Sequence, residues 1–241
     1  MNKKYEEQKK FWEHAGDIGY GNAVFSNAIV EKHIISKQWK TAIEVADSLN
    51  LNNQSRILEL GCGDGTFADQ VLSKYYAQID ASDVSNAAIQ RANSQSKAKN
   101  IHFYVQDLTT NKYQPDEKWD GAFLMGFLHH VKQFTPDIIS HLPAVCPKLI
   151  VLEPNGDNLI RKGLELLPSY KLAGEDSFRL NKLLEIFALH GYKATVIRRI
   201  NLIPQFLPEK IFPILKGIEG FIEPAPVLNR MCSTYVIGFT L

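Results

Sequence analysis

The chain has 241 residues, the size of one large α/β domain with a substantial core. Its formal charge is +1, without an arginine-rich arm or a block of like charge, which argues against a polyanion partner and in particular against DNA. Cys62, Cys146 and Cys232 are an odd number with no C-x-x-C spacing, so neither a disulfide framework nor a metal site is expected.

Residues 1–10 are polar and contain no apolar signal core, and no run approaches ~20 apolar residues, so a soluble protein of the reducing cytoplasm is expected, with no transmembrane segment. Residues 24–49 carry Phe25, Ile29, Trp39, Ile43, Ala46 and Leu49 at broadly helical spacing. Next, an apolar strand, Ile57-Leu58-Glu59-Leu60, runs into Gly61-Cys62-Gly63-Asp64-Gly65 and then into a helical pattern near 66–75. A backbone that turns sharply and lies close against a ligand needs residues without Cβ, so a nucleoside-type ligand is the first expectation. The dinucleotide fingerprint G-x-G-x-x-G would need a third glycine where Thr66 stands, which makes a nicotinamide oxidoreductase the weaker reading.

Strand and helix then alternate: strand 77–82, helix 86–98, strand 101–106, strand 119–125, helix 136–142 and strand 148–153. Such alternation predicts a mainly parallel sheet covered on both faces, with ligands outside the carboxyl ends of the strands. Asp83 falls about 20 residues past the glycine turn, where a carboxylate would accept from ribose hydroxyls, with Asp80 as competitor inside the strand; Ser85 is placed to cap the next helix. Asp107 ends the third strand; alone it reads equally as a turn residue. Leu180, Leu183, Leu184, Phe187 and Ala188 mark one face of a helix ending at Gly191. Two β-rich stretches follow, 193–202 and 232–240. Between them an insertion, residues 203–230, holds five prolines and the apolar series Ile211, Ile214, Leu215, Ile218, Phe221 and Ile222. It reads either as a core-packing helix or as a lid over an apolar acceptor or a homodimer contact.

Glu59-x-Gly61-x-Gly63-x-Gly65 after a strand, Asp83-Val84-Ser85 after the second, Asp107-Leu108 after the third, and the fourth strand with its loop up to Leu128-His129-His130-Val131 together resemble the class I S-adenosylmethionine-dependent methyltransferases of small-molecule type. The resemblance covers roughly the middle third of the chain. It implies an α/β, Rossmann-like seven-stranded, mostly parallel sheet with an antiparallel C-terminal strand, an N-terminal helical cap (residues 1–50) and a cofactor-binding domain (residues 51–241). It also implies S-adenosylmethionine as cofactor, held by Glu59, Gly61, Cys62, Gly63, Gly65, Asp83, Val84, Asp107, Leu108 and Met125.

Methyl transfer from a sulfonium needs in-line positioning, and a base only if the acceptor must lose a proton. His129 and His130 are the candidates for that base, with helix capping or packing as the plainer alternative. Glu153 and Asn155 in Glu153-Pro154-Asn155 are acceptor-orienting candidates, or members of a proline-stiffened turn. Tyr20, between two glycines, is a lid candidate, and Trp12 and His14 lie in the same arm. The expected reaction is methylation of oxygen or nitrogen on a sugar, lipid-like or secondary-metabolite acceptor; the alternatives are a non-catalytic binding module and an RNA or protein methyltransferase.

Overall fold

The computed structural model describes residues 27–110, 117–166 and 175–241, so the expectations for Trp12, His14 and Tyr20 lie outside the described residues. Helix α1 (Ala28–Ser48) opens with Asn27, whose side chain accepts from the Val30 N–H at 3.0 Å. The chain then forms β1 (Arg56–Leu60), α2 (Ala68–Leu72, wound as a π-helix, continuing through Ser73–Tyr75), β2 (Gln78–Asp83), α3 (Asn86–Gln95) and β3 (Ile101–Val105). After these come β4 (Gly121–Met125), α4 (Thr135–His141), β5 (Lys148–Pro154), α5 (Leu159–Leu164), α6 (Leu180–Leu189), β6 (Lys193–Ile200), α7 (Phe212–Ile222) and β7 (Thr234–Thr240).

The strands form one sheet of order β3-β2-β1-β4-β5-β7-β6, with the seven strands that the resemblance implies. Strands β1 to β5 are parallel, and β7 runs antiparallel to both β5 and β6. Central β1 is apolar on both faces because helices cover both. One face packs Ala42, Val45 and Ala46 of α1 with Ala68, Ile79 and Val236; the other packs Ile139 of α4 with Leu183 and Phe187 of α6. The strand order reverses between β1 and β4, which opens a crevice at their carboxyl ends. No helix among the described residues is long and apolar enough to cross a membrane.

Several element ends differ from expectation, each for a local reason. Helix α3 stops at Gln95 rather than near 98 because Asp69 Oδ1 accepts from Ser96 Oγ, Lys97 N and Ala98 N at 2.6, 3.0 and 3.2 Å, drawing that backbone out of the helix. Strand β6 stops at Ile200 rather than 202 because Asn201 takes a φ of 65°, and the N–H groups of Asn201 and Leu202 go to Glu223, which caps α7, and to Glu219 within it, at 2.8 and 2.9 Å. Strand β7 begins at Thr234 rather than 232, since the Cys232 carbonyl accepts from the Asn155 amide.

The insertion departs most from a plain core helix. Within α7 the one buried residue is Glu219, while Ile214 and Phe221 are 64% and 80% exposed. A small separate cluster of Val30, Ile34, Ile203 and Leu207, with Phe212 and Leu215, joins α7 to α1.

Candidate functional site

The bend after β1 is held by sterics. Gly61 and Gly65 have φ of 69° and 75°, and a Cβ on either would lie 2.7 Å from Phe127 Cγ or 2.6 Å from Phe103 Cε1. Both the sign of φ and the lack of space therefore require glycine. Asp83 at the end of β2 ties the bend down: its Oδ2 accepts from Gly63 N at 2.8 Å and its Oδ1 from Ser85 N at 2.9 Å. Ser85 in turn caps α3 by accepting from Ala88 N at 3.1 Å. The competitor Asp80 is engaged elsewhere, accepting from Arg56 and from Trp119 Nε1 at 2.8 Å.

The bend and Asp83 border a cavity of about 860 Å³. Glu59, Gly61, Cys62, Gly63, Asp83, Val84, Asp107, Leu108 and Met125 all line it; Gly65 does not, and instead packs the bend against Phe103. Asp107 Oδ1 also accepts from Thr109 N and Oγ1 at 3.0 and 2.6 Å, so its turn role and its place on the cavity coexist. Burial lifts the Cys62 thiol well above its usual range, helped by the nearby Glu59 and Asp83 charges.

Glu59 tests whether the cavity fits the adenosyl cofactor. It is 1% exposed, and its Oε2 is buried with no hydrogen-bond partner. Burial, then the neighbouring Asp83 and Asp64 charges, push its carboxyl well above the usual range. A buried acid in that state lacks a cation or strong donor, and the amino group of a methionine moiety supplies one. The residues present fit the group.

Across the cavity lie His129 and His130, rings 3.8 Å apart between centroids. His129 is buried, with Nδ1 2.8 Å from Glu153 Oε2 and Nε2 3.5 Å from Glu175 Oε2. Burial opposes its charge, but the charges and bonds of Glu153 and Glu175 together outweigh burial and raise the ring to about 9. Glu175 is held down to about 2: burial opposes ionisation, and the His129 bond, the His129 charge and the Arg161 guanidinium overcome it. Both His129 ring nitrogens thus face carboxylates, an arrangement that favours the charged ring. One ligand atom each from His129, His130 and Glu175 lie within 4.8 Å of one another. The Arg161 cation bonded to the same Glu175 oxygen as His129 opposes a further cation there.

Glu153 and Asn155 sit behind the wall rather than on it. Glu153 is fully buried and accepts from Leu128 N at 2.9 Å and from His129. Asn155 Nδ2 donates to the carbonyls of Arg230 and Cys232 at 3.2 and 2.7 Å, while its Oδ1 accepts from Asp157 N at 2.8 Å. Sequence reasoning passed over Glu175 and Arg161, which are far apart in sequence and carry no local motif. It also passed over Ile34, Ile35, Gln38 and Trp39 of α1, whose i, i+4 pairing put them on one helical face lining the cavity.

A family model described as a methyltransferase domain matches residues 57–146. Among curated proteins, a malonyl-[acyl-carrier protein] O-methyltransferase of Ilyobacter polytropus is 35% identical over 98 residues, 40% of this chain and 35% of the relative. The chain spans about a third of the length of the curated relatives it matches. Among solved structures, an S-adenosylmethionine-dependent methyltransferase from Mesorhizobium loti superposes with a TM-score of 0.60 at 13% identity, over 85% of this chain and 97% of that one. Magnesium protoporphyrin IX methyltransferase from Synechocystis PCC 6803, with bound S-adenosylhomocysteine, gives 0.58 at 16% identity over 89% and 88%. The cofactor of such domains is S-adenosylmethionine. The chain carries, over residues 57–146, a methyltransferase domain set in the fold of the class I S-adenosylmethionine-dependent methyltransferases.

Proposed function

We propose that the protein transfers a methyl group from S-adenosylmethionine to an oxygen or nitrogen of a small acceptor, with residues 1–50 as a cap on a catalytic domain formed by residues 51–241. One observation carries this reading: a single cavity joins the glycine bend and the unpartnered Glu59 oxygen to the His129–His130 pair. When bound, the cofactor supplies an electrophilic methyl group on a sulfonium.

The chain's own residues bind and orient. Glu59 receives the cofactor's ammonium, and Asp83, held against Gly63 and Ser85, accepts from the ribose hydroxyls. Asp107 accepts from the adenine amino group, while Val84, Leu108 and Met125 flank the ring. The His129 ring, its two nitrogens held by Glu153 and Glu175, sets the charge beside the acceptor's heteroatom. Its neighbour His130 takes the proton where the acceptor has one to lose. Glu153 supports this from behind by holding the His129 ring. Oxygen is the favoured nucleophile, because the curated relatives are O-methyltransferases.

The test is calorimetric titration with S-adenosylmethionine, followed by turnover on alcohols, phenols, carboxylic acids and amines, with RNA and protein as further arms. Micromolar cofactor binding and turnover on a small acceptor are expected. Absence of cofactor binding overturns the reading, and binding without turnover on any arm makes the protein a binding module.

A further inference from the structure

The cavity is larger than its cofactor-facing rim and changes character along its length. Beyond the histidines it is walled by Ile34 of α1, Leu215, Ile218 and Ile222 of α7, and Ile160 and Leu164 of α5. The charged groups of His129, Arg161 and Glu175 meet at one point of this lining, which the neutral polar residues Gln38, Asn158, Gln205, Ser233 and Thr234 also border. The six aliphatic residues offer no hydrogen-bonding group and match a hydrocarbon body better than a sugar ring.

This wall is built before any acceptor arrives. Glu219 on α7 accepts from His33 and Lys37 of α1 and from the Leu202 N–H, and Glu223 accepts from Lys37 and the Asn201 N–H at 2.9 and 2.8 Å. Helix α7 is therefore fastened to α1 and to the end of β6, with Leu215, Ile218 and Ile222 bordering the cavity. Ile214 and Phe221 on the same helix are exposed and do not border the cavity, and Phe212 packs in the cluster with α1, so the lining is a distinct feature of the inner side.

We propose that this compartment is the acceptor subsite and that the acceptor is a small amphiphile, a hydrocarbon body with the methylated oxygen or nitrogen on a polar head set against His129 and Arg161. The proposal rests on the methyltransferase reading, since continuity with the cofactor end of the cavity is what makes its occupant the acceptor.

The experiment titrates 4-alkylphenols, from ethyl to octyl, and methyl glucoside into protein saturated with S-adenosylhomocysteine. Affinity should rise about three- to fourfold per methylene, and the glucoside should bind no better than ethylphenol. Ile218→Asp and Ile160→Asp, both partly exposed positions on the cavity, should each weaken octylphenol binding about tenfold or more, with S-adenosylhomocysteine affinity unchanged. Phe221→Ser, on the outer side, should leave both unchanged. Affinity that is flat with chain length, or a length dependence that survives Ile218→Asp and Ile160→Asp, overturns the subsite while leaving the methyltransferase reading intact. Loss of the dependence in Phe221→Ser relocates binding to the outer surface and overturns the subsite as well. Failure of S-adenosylhomocysteine to bind overturns the underlying reading instead.

Discussion

His33 Nε2 lies 2.7 Å from Glu219 Oε2, joining helix α1 to helix α7 across 186 positions of sequence. Glu219 is 2% exposed, and Lys37 and the Leu202 N–H share its carboxylate. Burial resists its ionisation, yet the Lys37 and His33 bonds and charges win and hold its carboxyl below the usual range.

Glu219→Ala should accordingly cost about 2 kcal/mol in urea unfolding. The loss is smaller than for a fully buried pair because Lys37, 22% exposed, keeps Glu223 as a partner. Acceptor turnover should fall with it, whereas cofactor affinity, set at the other end of the cavity, should hold.

Glu59→Gln separates binding from stability. It should weaken S-adenosylmethionine binding about 10- to 100-fold, equivalent to one charge-assisted hydrogen bond of about 1.5–3 kcal/mol. The same substitution removes an acid buried beside Asp83 and Asp64, so the Tm of the free protein should rise by about 2–4 °C. Calorimetric titration and a thermal melt on one sample give both signs.

The His129 cluster sets a pH window. Its folded value of about 9 lies above the ordinary 6.5, so its stabilising contribution is complete below pH 6.5 and disappears as pH rises through about 9. Glu175 has the opposite sign: its contribution is present above the ordinary 4.5 and is lost as pH falls toward about 2. The stability gap between the protein and His129→Gln, from denaturant unfolding, should be widest near pH 6 and closed at pH 10.

Asn155→Ala tests a position that the sequence places near the acceptor and the structure places in a turn. Removing its bonds to the 230 and 232 carbonyls should cost about 2–3 kcal/mol, with the KM of the acceptor changed by less than about twofold. A rise in KM without loss of stability would return Asn155 to the acceptor.

The cofactor half of the cavity was legible because it is written locally. A strand, a bend that only glycine can make and acids at or just past the ends of β2 and β3 are features of short windows, and parallel pairing brings them to one edge. The acceptor half was not, because it is assembled from distant pieces. Glu175 reaches His129 from 46 residues away, counting from 129 to 175, and neither local sequence announces the contact. Helix α7 misleads for a related reason: its apolar periodicity suggests a core helix, whereas its one buried residue is an acid whose partners lie on α1 and after β6. Asp83 shows an intermediate case, since its spacing was readable but its bond to Gly63 N was not.

The three thiols have a practical consequence. Cys62, Cys146 and Cys232 are all buried and unbridged, and burial raises each above its ordinary range, the latter two to about 12. At neutral pH they are therefore almost wholly protonated and react slowly with alkylating reagents. A cysteine introduced on the outer side of α7, as in Phe221→Cys, would be the one site where maleimide dyes react at an appreciable rate. Distance measurements by fluorescence could then be made without first stripping the native sulfhydryls.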